Sequence, residues 1–186
     1  MFPAILDLSV MRAAVAGSGP AAARRVRLLD EAGARHLRVF APQADAGMKA
    51  AAGSRLEARF PEEAEIAPLH IVFTAGLAEE DAGRIARWAR RHGVLVNTED
   101  VAPLCDFHVP AMVRRGDLLL TVSTGGKSPG LARRLRRELE HAFGPDWAGR
   151  LGELAQARDR WRGEGAPLEE LARRTEALIE EKEWLP

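Results

Sequence analysis

Apolar positions in the first hundred residues follow two alternating patterns. Short, nearly unbroken apolar runs lie at 13–16, 69–74 and 94–96, and 36–40 is a second strand by position, stopped at Ala41-Pro42. Between them apolar residues return every three or four positions, as in Ala22, Val26 and Leu29, and again in Ala78, Ala82, Ile85 and Ala89. Unbroken runs suit strands buried on both faces of a parallel sheet, and the three-to-four spacing suits amphipathic helices. Gly33 and Gly93 stand where such helices end. Residues 49–60 predict a weak helix and a third strand around Leu56, 61–63 a solvated turn, and 2–8 an apolar lead-in that packs on the first strand. Alternating strands and helices up to residue 97 predict a parallel sheet wound on both sides.

The pattern then changes. A strand over 107–113, an Arg-Arg-Gly-Asp turn at 114–117 and a strand over 118–122 read as an antiparallel hairpin. A second glycine loop, 123–129, leads into a helix with Leu131, Leu135 and Leu139 on one face and Arg133, Arg134, Arg136 and Arg137 on the other. Two further helical patterns, Trp147 to Trp161 and Leu168 to Leu178, are broken at 163–167. The expected organisation is therefore α/β: a Rossmann-like domain over 1–112, a hairpin-and-helix segment over 113–145, and a helical domain over 146–186.

The junction of the first run and the first helix carries the most specific chemistry. Gly17, Gly19 and Ala22 give G-x-G-x-x-A between a strand and a helix. In a dinucleotide fold Gly17 turns the chain, Gly19 lets a pyrophosphate approach the backbone, and Ala22 lets helix and strand pack closely. Ser18 and Ala21 lie in the same turn, and Pro20 suits a first helical turn, where no amide hydrogen bond is lost. The same residues also suit an ordinary strand-to-helix turn. After the second strand the tip offers Gln43 and only later Asp45, with no arginine to favour a 2'-phosphate, so NAD is preferred over NADP. The second loop lacks the spacing of a P-loop. Its backbone amides and the hydroxyls of Ser123, Thr124 and Ser128 suit an anion cradle at a helix start; alternatively Ser128 caps the helix that Pro129 opens.

Composition narrows the partners. Lys and Arg number 27, as do Asp and Glu, so no net field calls for nucleic acid or an anionic membrane. Cys105 is the single cysteine, which excludes an internal disulfide and a cysteine-rich metal site. It fits a reducing cytoplasm as a small buried hydrophobe. The N-terminus lacks the basic start of a signal peptide, and no apolar run is long enough to span a membrane.

In order and spacing, the N-terminal Met-Phe-Pro-Ala-Ile-Leu-Asp-Leu, the Gly17 to Val26 turn, Leu95-Val96-Asn97 with Asp100, Leu104-Cys105-Asp106-Phe107, Pro110-Ala111, Arg114 to Asp117, and Ser123 to Pro129 with Leu131-Ala132-Arg133 resemble the precorrin-2 dehydrogenase family, which also forms the N-terminal part of siroheme synthases. The likeness extends to about residue 145. It implies oxidation of precorrin-2 to sirohydrochlorin with NAD, in some members also iron insertion, and a homodimer formed through the segment after the Rossmann half. It implies as well that uroporphyrinogen methylation falls to another protein. Position by position, Asp100 matches the family's catalytic aspartate and Asn97 a neighbouring site asparagine. Thr124 matches a serine lining the tetrapyrrole cleft, within the loop that supplies Ser123, Gly125 and Ser128. Pro20, Ala21, Pro42 and Gln43 match its NAD contacts; no resident metal is implied. The sequence differs from the family pattern at Thr74 to Leu77, at His108, and by one extra residue before the second strand.

The chemistry is consistent with those residues on its own terms. Desaturating a reduced tetrapyrrole moves a hydride and releases a proton, so a carboxylate beside a strand end is a sensible base, and an aspartate there also suits a loop cap. A polycarboxylate substrate gives the arginines at 114, 115, 133, 134, 136 and 137 a partner for one or two of them, the rest being solvated or paired with Glu138 and Glu140. The competing expectation is a Rossmann module that holds NAD as a sensor or binds a partner without turnover; a nucleic-acid-binding basic helix is a weaker third.

Overall fold

The computed structural model describes residues 1–185 and divides them into two compact units, Met1–His108 and one that begins at Val109. In the first unit, β1 (Arg12–Gly17), α1 (Gly19–Glu31), β2 (His36–Phe40), α2 (Ala46–Ala52), β3 (Leu56–Glu57), α3 (Glu63–Ile66), β4 (Ile71–Ala75), α4 (Glu79–Arg91) and β5 (Leu95–Thr98) follow in order. The strands form one sheet in the order β3-β2-β1-β4-β5, all parallel. The chain winds outward from β1 in one direction and then, from β4, in the other. Crevices in such sheets open at the carboxyl ends of the strands where the winding reverses, here beyond β1 and β4.

Why these residues take these states follows from burial. In β4, buried along its whole length, the run Ile-Val-Phe-Thr-Ala leaves no face for solvent. Ala14, Phe40, Val72 and Val96 pack with Ile85, Ala86 and Ala89 of α4 in one apolar cluster. On α1 the buried positions are Ala22, Ala23, Val26 and Leu29, three of them the spaced apolar residues of the sequence. Gly33 (φ +80°) and Gly93 (φ +69°) follow the ends of α1 and α4 in left-handed backbone, as their positions predicted.

Three local expectations are corrected. The lead-in does not pack on β1: Phe2 is 91% exposed and Ile5 73%, and only Leu8 is buried. The turn at 61–63 opens α3, where Glu62 and Glu65 form a reciprocal capping box. The first hairpin strand starts at Ala111, because Phe107 is held in the first unit, edge-on to Phe73 at 5.3 Å between ring centroids.

The second unit begins with the hairpin of β6 (Ala111–Arg115) and β7 (Leu118–Val122), antiparallel, with Gly116 and Asp117 in the turn. Gly116 takes φ +59°, which such a tight turn demands. α5 (Pro129–Ala142), α6 (Trp147–Gly163) and α7 (Leu168–Glu181) complete it. Arg115 donates to the Phe143 carbonyl oxygen at 2.8 Å and so ties β6 to the end of α5. Among the described residues no helix is long and apolar enough to cross a membrane.

Candidate active site

The turn after β1 and the turn after β4 touch main chain to main chain. The Ser18 amide donates to the Ala75 carbonyl oxygen at 3.3 Å. A Cβ on Gly17 would lie 1.7 Å from that oxygen, and one on Gly76 would lie 2.2 Å from the Ser18 carbonyl oxygen. Both glycines are therefore required by packing as well as by their φ values of +151° and +63°. Gly19 differs. At φ +74° a Cβ there would meet nothing within 4 Å, so its bare backbone borders open space at the N-terminus of the 13-residue α1. That space, lined by main chain and by the positive end of a helix, fits the pyrophosphate of a dinucleotide. Pro20 opens the helix, Ala21 is half-buried, and Ala22 is fully buried where the helix meets the sheet.

The tip of β2 reaches the same turn. The Gln43 amide donates to Ser18 Oγ at 3.2 Å, which fixes Pro42 and Gln43 beside the glycines and leaves the Gln43 side chain exposed. Asp45 is engaged elsewhere, since its carboxylate caps α2 by accepting from the Met48 amide at 2.7 Å. Gln43 is thus the polar side chain at the tip, in the position where dinucleotide folds hold a ribose hydroxyl.

Asn97 and Asp100 lie at the carboxyl end of β5, next to β4. Asn97 is 6% exposed; its Nδ2 donates to the Phe107 carbonyl oxygen at 2.9 Å, and its Oδ1 is buried with no hydrogen-bond partner. Asp100 has φ +61°, a backbone that aspartate tolerates better than most residues, and its carboxylate is exposed. On the α4 side a small open pocket of about 70 Å³ is lined by Thr74, Gly76, Leu77, Glu79, Thr98 and Glu99 among others. At its base the Thr74 hydroxyl donates to Thr98 Oγ1 at 2.8 Å. Arg24 of α1 lies 3.6 Å from the Glu99 carboxylate.

In the second unit the glycine loop is closed on itself. Thr124 Oγ1 donates to the Ser128 carbonyl oxygen at 3.1 Å and accepts from the Ser128 amide at 3.2 Å, while Ser123 Oγ accepts from the Gly125 amide at 3.3 Å. Ser128 Oγ caps α5 by accepting from the Leu131 amide at 3.2 Å. Of the arginines, Arg115 serves the Phe143 carbonyl, Arg134 pairs with Glu138 at 2.7 Å, and Arg136 pairs with Glu140. Arg114, Arg133 and Arg137 remain exposed.

Sequence reasoning placed Gly17 to Ala22 at the first turn and Pro42 and Gln43 at the tip of the second strand, and the structure brings the two together through the bond from the Gln43 amide to Ser18 Oγ. It marked Thr74 to Leu77 as a departure from the family pattern, without showing that Gly76 is the packing partner of the first turn. It also read Cys105 as a small buried hydrophobe. The thiol is half-buried and polar in its contacts, accepting from the Thr98 amide at 3.3 Å and donating to the Thr98 carbonyl oxygen at 3.1 Å.

Residues 4–111 match a family described as putative NAD(P)-binding, and residues 115–142 match the central segment of sirohaem biosynthesis proteins. The siroheme synthase of Methylococcus capsulatus is 37% identical over 82% of this chain and 32% of its own length. That of Nitrosococcus oceani is 38% identical over 82% of this chain and 33% of its own length. The chain thus spans about a third of the curated relatives it matches. A solved structure of the precorrin-2 dehydrogenase SirC superposes with a TM-score of 0.79 at 21% identity, over 100% of this chain and 92% of that one, and shares the fold. With the glycine cradle at the reversal of the sheet and both segments matched in order, the chain belongs to the putative NAD(P)-binding family, followed by a segment similar to the central part of sirohaem biosynthesis proteins.

Proposed function

We propose that this chain oxidises precorrin-2 to sirohydrochlorin with NAD in the formation of sirohaem. One observation carries the reading: an exposed aspartate and a buried asparagine with an unpartnered oxygen stand at the end of β5, two strands from the glycine cradle beyond β1. Two strand spacings are roughly 10 Å, so a cofactor anchored at the cradle and a carboxylate at Asp100 serve the same edge of the sheet.

Gly17, Ser18, Gly19, Pro20, Ala21 and Ala22 would hold the pyrophosphate, with Pro42 and Gln43 at the ribose. When bound, NAD supplies the hydride acceptor. The substrate loses a hydride and a proton; Asp100 takes the proton and passes it to solvent, which its exposure allows. Asn97 offers an acceptor to an N–H of the bound molecules. Ser123, Thr124, Gly125 and Ser128 are proposed as substrate contacts, with Arg114, Arg133 and Arg137 available for carboxylates.

Ferrous iron is proposed as a further substrate. Its insertion releases pyrrole protons, and Asp100 would accept them as well. A homodimer and a cytoplasmic setting complete the proposal. The experiment is direct: pure protein with NAD and enzymatically prepared precorrin-2 should develop the sirohydrochlorin spectrum. Bound NAD with no spectral change would replace the enzyme with a sensor.

A further inference from the structure

β5 is an edge strand, and what covers its outer edge is not another strand. Edge strands leave alternate amides and carbonyls without partners. Here Asp106 and Cys105 meet them. The Asp106 amide donates to the Val96 carbonyl oxygen at 2.8 Å, and the Val96 amide donates to Asp106 Oδ2 at 3.1 Å. Two residues further on, the Thr98 amide donates to Cys105 Sγ at 3.3 Å, and the thiol donates back to the Thr98 carbonyl oxygen at 3.1 Å. Arg90 of α4 anchors the segment from outside, at 2.9 Å from Asp106 Oδ1 and 3.1 Å from the Pro103 carbonyl oxygen.

The strand ends in a turn. The Val101 amide donates to the Thr98 carbonyl oxygen at 3.4 Å, and Asp100 holds the third position with φ +61°. Cys105 Sγ is within hydrogen-bonding distance of carbonyls at both ends of this turn, that of Thr98 and, at 3.5 Å, that of Val101. The same sulfur lies 3.7 Å from Asn97 Nδ2, whose stronger partner is the Phe107 carbonyl oxygen. A carbonyl only accepts, so Phe107 dictates which way the Asn97 amide faces. Its Oδ1 is then left free and buried, and an unpartnered buried acceptor is costly unless a bound molecule supplies the donor. That oxygen points to a ligand at this place independently of the cysteine.

We propose that Cys105, Asp106 and Phe107 form a positioning clasp for the catalytic turn. Cys105 sets the backbone from which Asp100 projects, and Phe107 orients the Asn97 amide so that Oδ1 accepts an N–H from the bound molecules. None of the three reacts. The inference rests on the reading of Asp100 as the base. Its value to the reaction lies in geometry, since misplacing a reacting group by about 1 Å can cost about 10²-fold in rate.

The test compares Cys105→Ala, Cys105→Ser and Asp100→Asn in the full chain, reading amide hydrogen exchange at 98–101, melting temperature, NAD affinity, and kcat and KM for precorrin-2. Cys105→Ala should speed exchange of the turn and lower kcat by about tenfold or more per folded molecule, with KM and NAD affinity within about twofold. Cys105→Ser keeps a donor and an acceptor at the same place and should restore both readings. Unchanged exchange in a folded Cys105→Ala protein overturns the clasp. So does a loss of activity that only follows the folded fraction, or one that serine fails to rescue. A fully active Asp100→Asn protein would instead overturn the base assignment, and the exchange measurement would still decide whether Cys105 holds the turn.

Discussion

Asp100 separates a chemical role from a structural one more cleanly than any other residue here. Its carboxylate is exposed, so removing the charge should cost the fold little. Asparagine also tolerates φ +61°. Asp100→Asn should therefore keep its melting temperature and NAD affinity while turnover falls by roughly 10²-fold or more; normal turnover would move the base elsewhere. Gly19 tests the cofactor in the same way. A Cβ there meets nothing within 4 Å and aspartate tolerates left-handed backbone better than most residues, so Gly19→Asp should fold at some cost from its φ of +74° and yet lose NAD binding by calorimetry, its carboxylate standing where the pyrophosphate belongs. Gly17→Ala, by contrast, should fail to fold, its Cβ being 1.7 Å from a main-chain oxygen. Sequence reasoning assigned Gly17 to the turn and Gly19 to the cofactor, but could not see the steric distinction that separates them in the fold. The distinction depends on Ala75, 58 positions away, and no local pattern reports that distance.

At the scale of elements, periodicity located the parallel half well because buried strands and capped helices write their burial into neighbouring residues. β2 runs over the residues that its position before Ala41-Pro42 marked, His36–Phe40. Pattern failed where a partner far along the chain decides the outcome. α3 is only four residues long, and its capping box together with an ion cluster hold it. Arg38 of β2 reaches Glu57 of β3 and Glu65 of α3, both at 2.6 Å, and Arg59 pairs with the same two carboxylates. The hydrogen bond from Arg59 foremost, with the Glu62 amide and Arg38 behind it, holds the Glu65 carboxyl far below the usual carboxylate range. A group depressed on folding stabilises the fold above its unfolded value, about 4.3, and loses that contribution as pH falls toward the folded value. Urea unfolding should show Glu65→Gln less stable than the parent at pH 7, with the gap narrowing by pH 3. An unchanging gap would mean that the cluster acts through packing alone.

On the scale of the molecule, α5 of the second unit leaves its apolar face uncovered. Leu131 is 50% exposed and Leu135 41%, and α5 buries none of its residues, although its sequence is amphipathic. A two-stranded hairpin is marginal by itself, so a second copy is the expected cover. Light scattering at micromolar concentration should give twice the 20.3 kDa mass of this chain, and Leu135→Glu should return it to the monomer. The sheet of the first unit offers no route to self-association through its two edges. On one side β3 is two residues long, with Arg38, Glu57 and Arg59 charged around it. On the other, the Asp106 amide and the Asp106 and Cys105 side chains fill the hydrogen-bonding positions of Val96 and Thr98 in β5, leaving none of them for an incoming strand. The sheet is thereby closed to strand addition from both ends. A parallel sheet assembled from distant segments exposes such edges while it forms, and the segment that follows β5 in the chain is also the one that seals it, so no distant stretch of chain is needed to protect that edge from amyloid-like pairing.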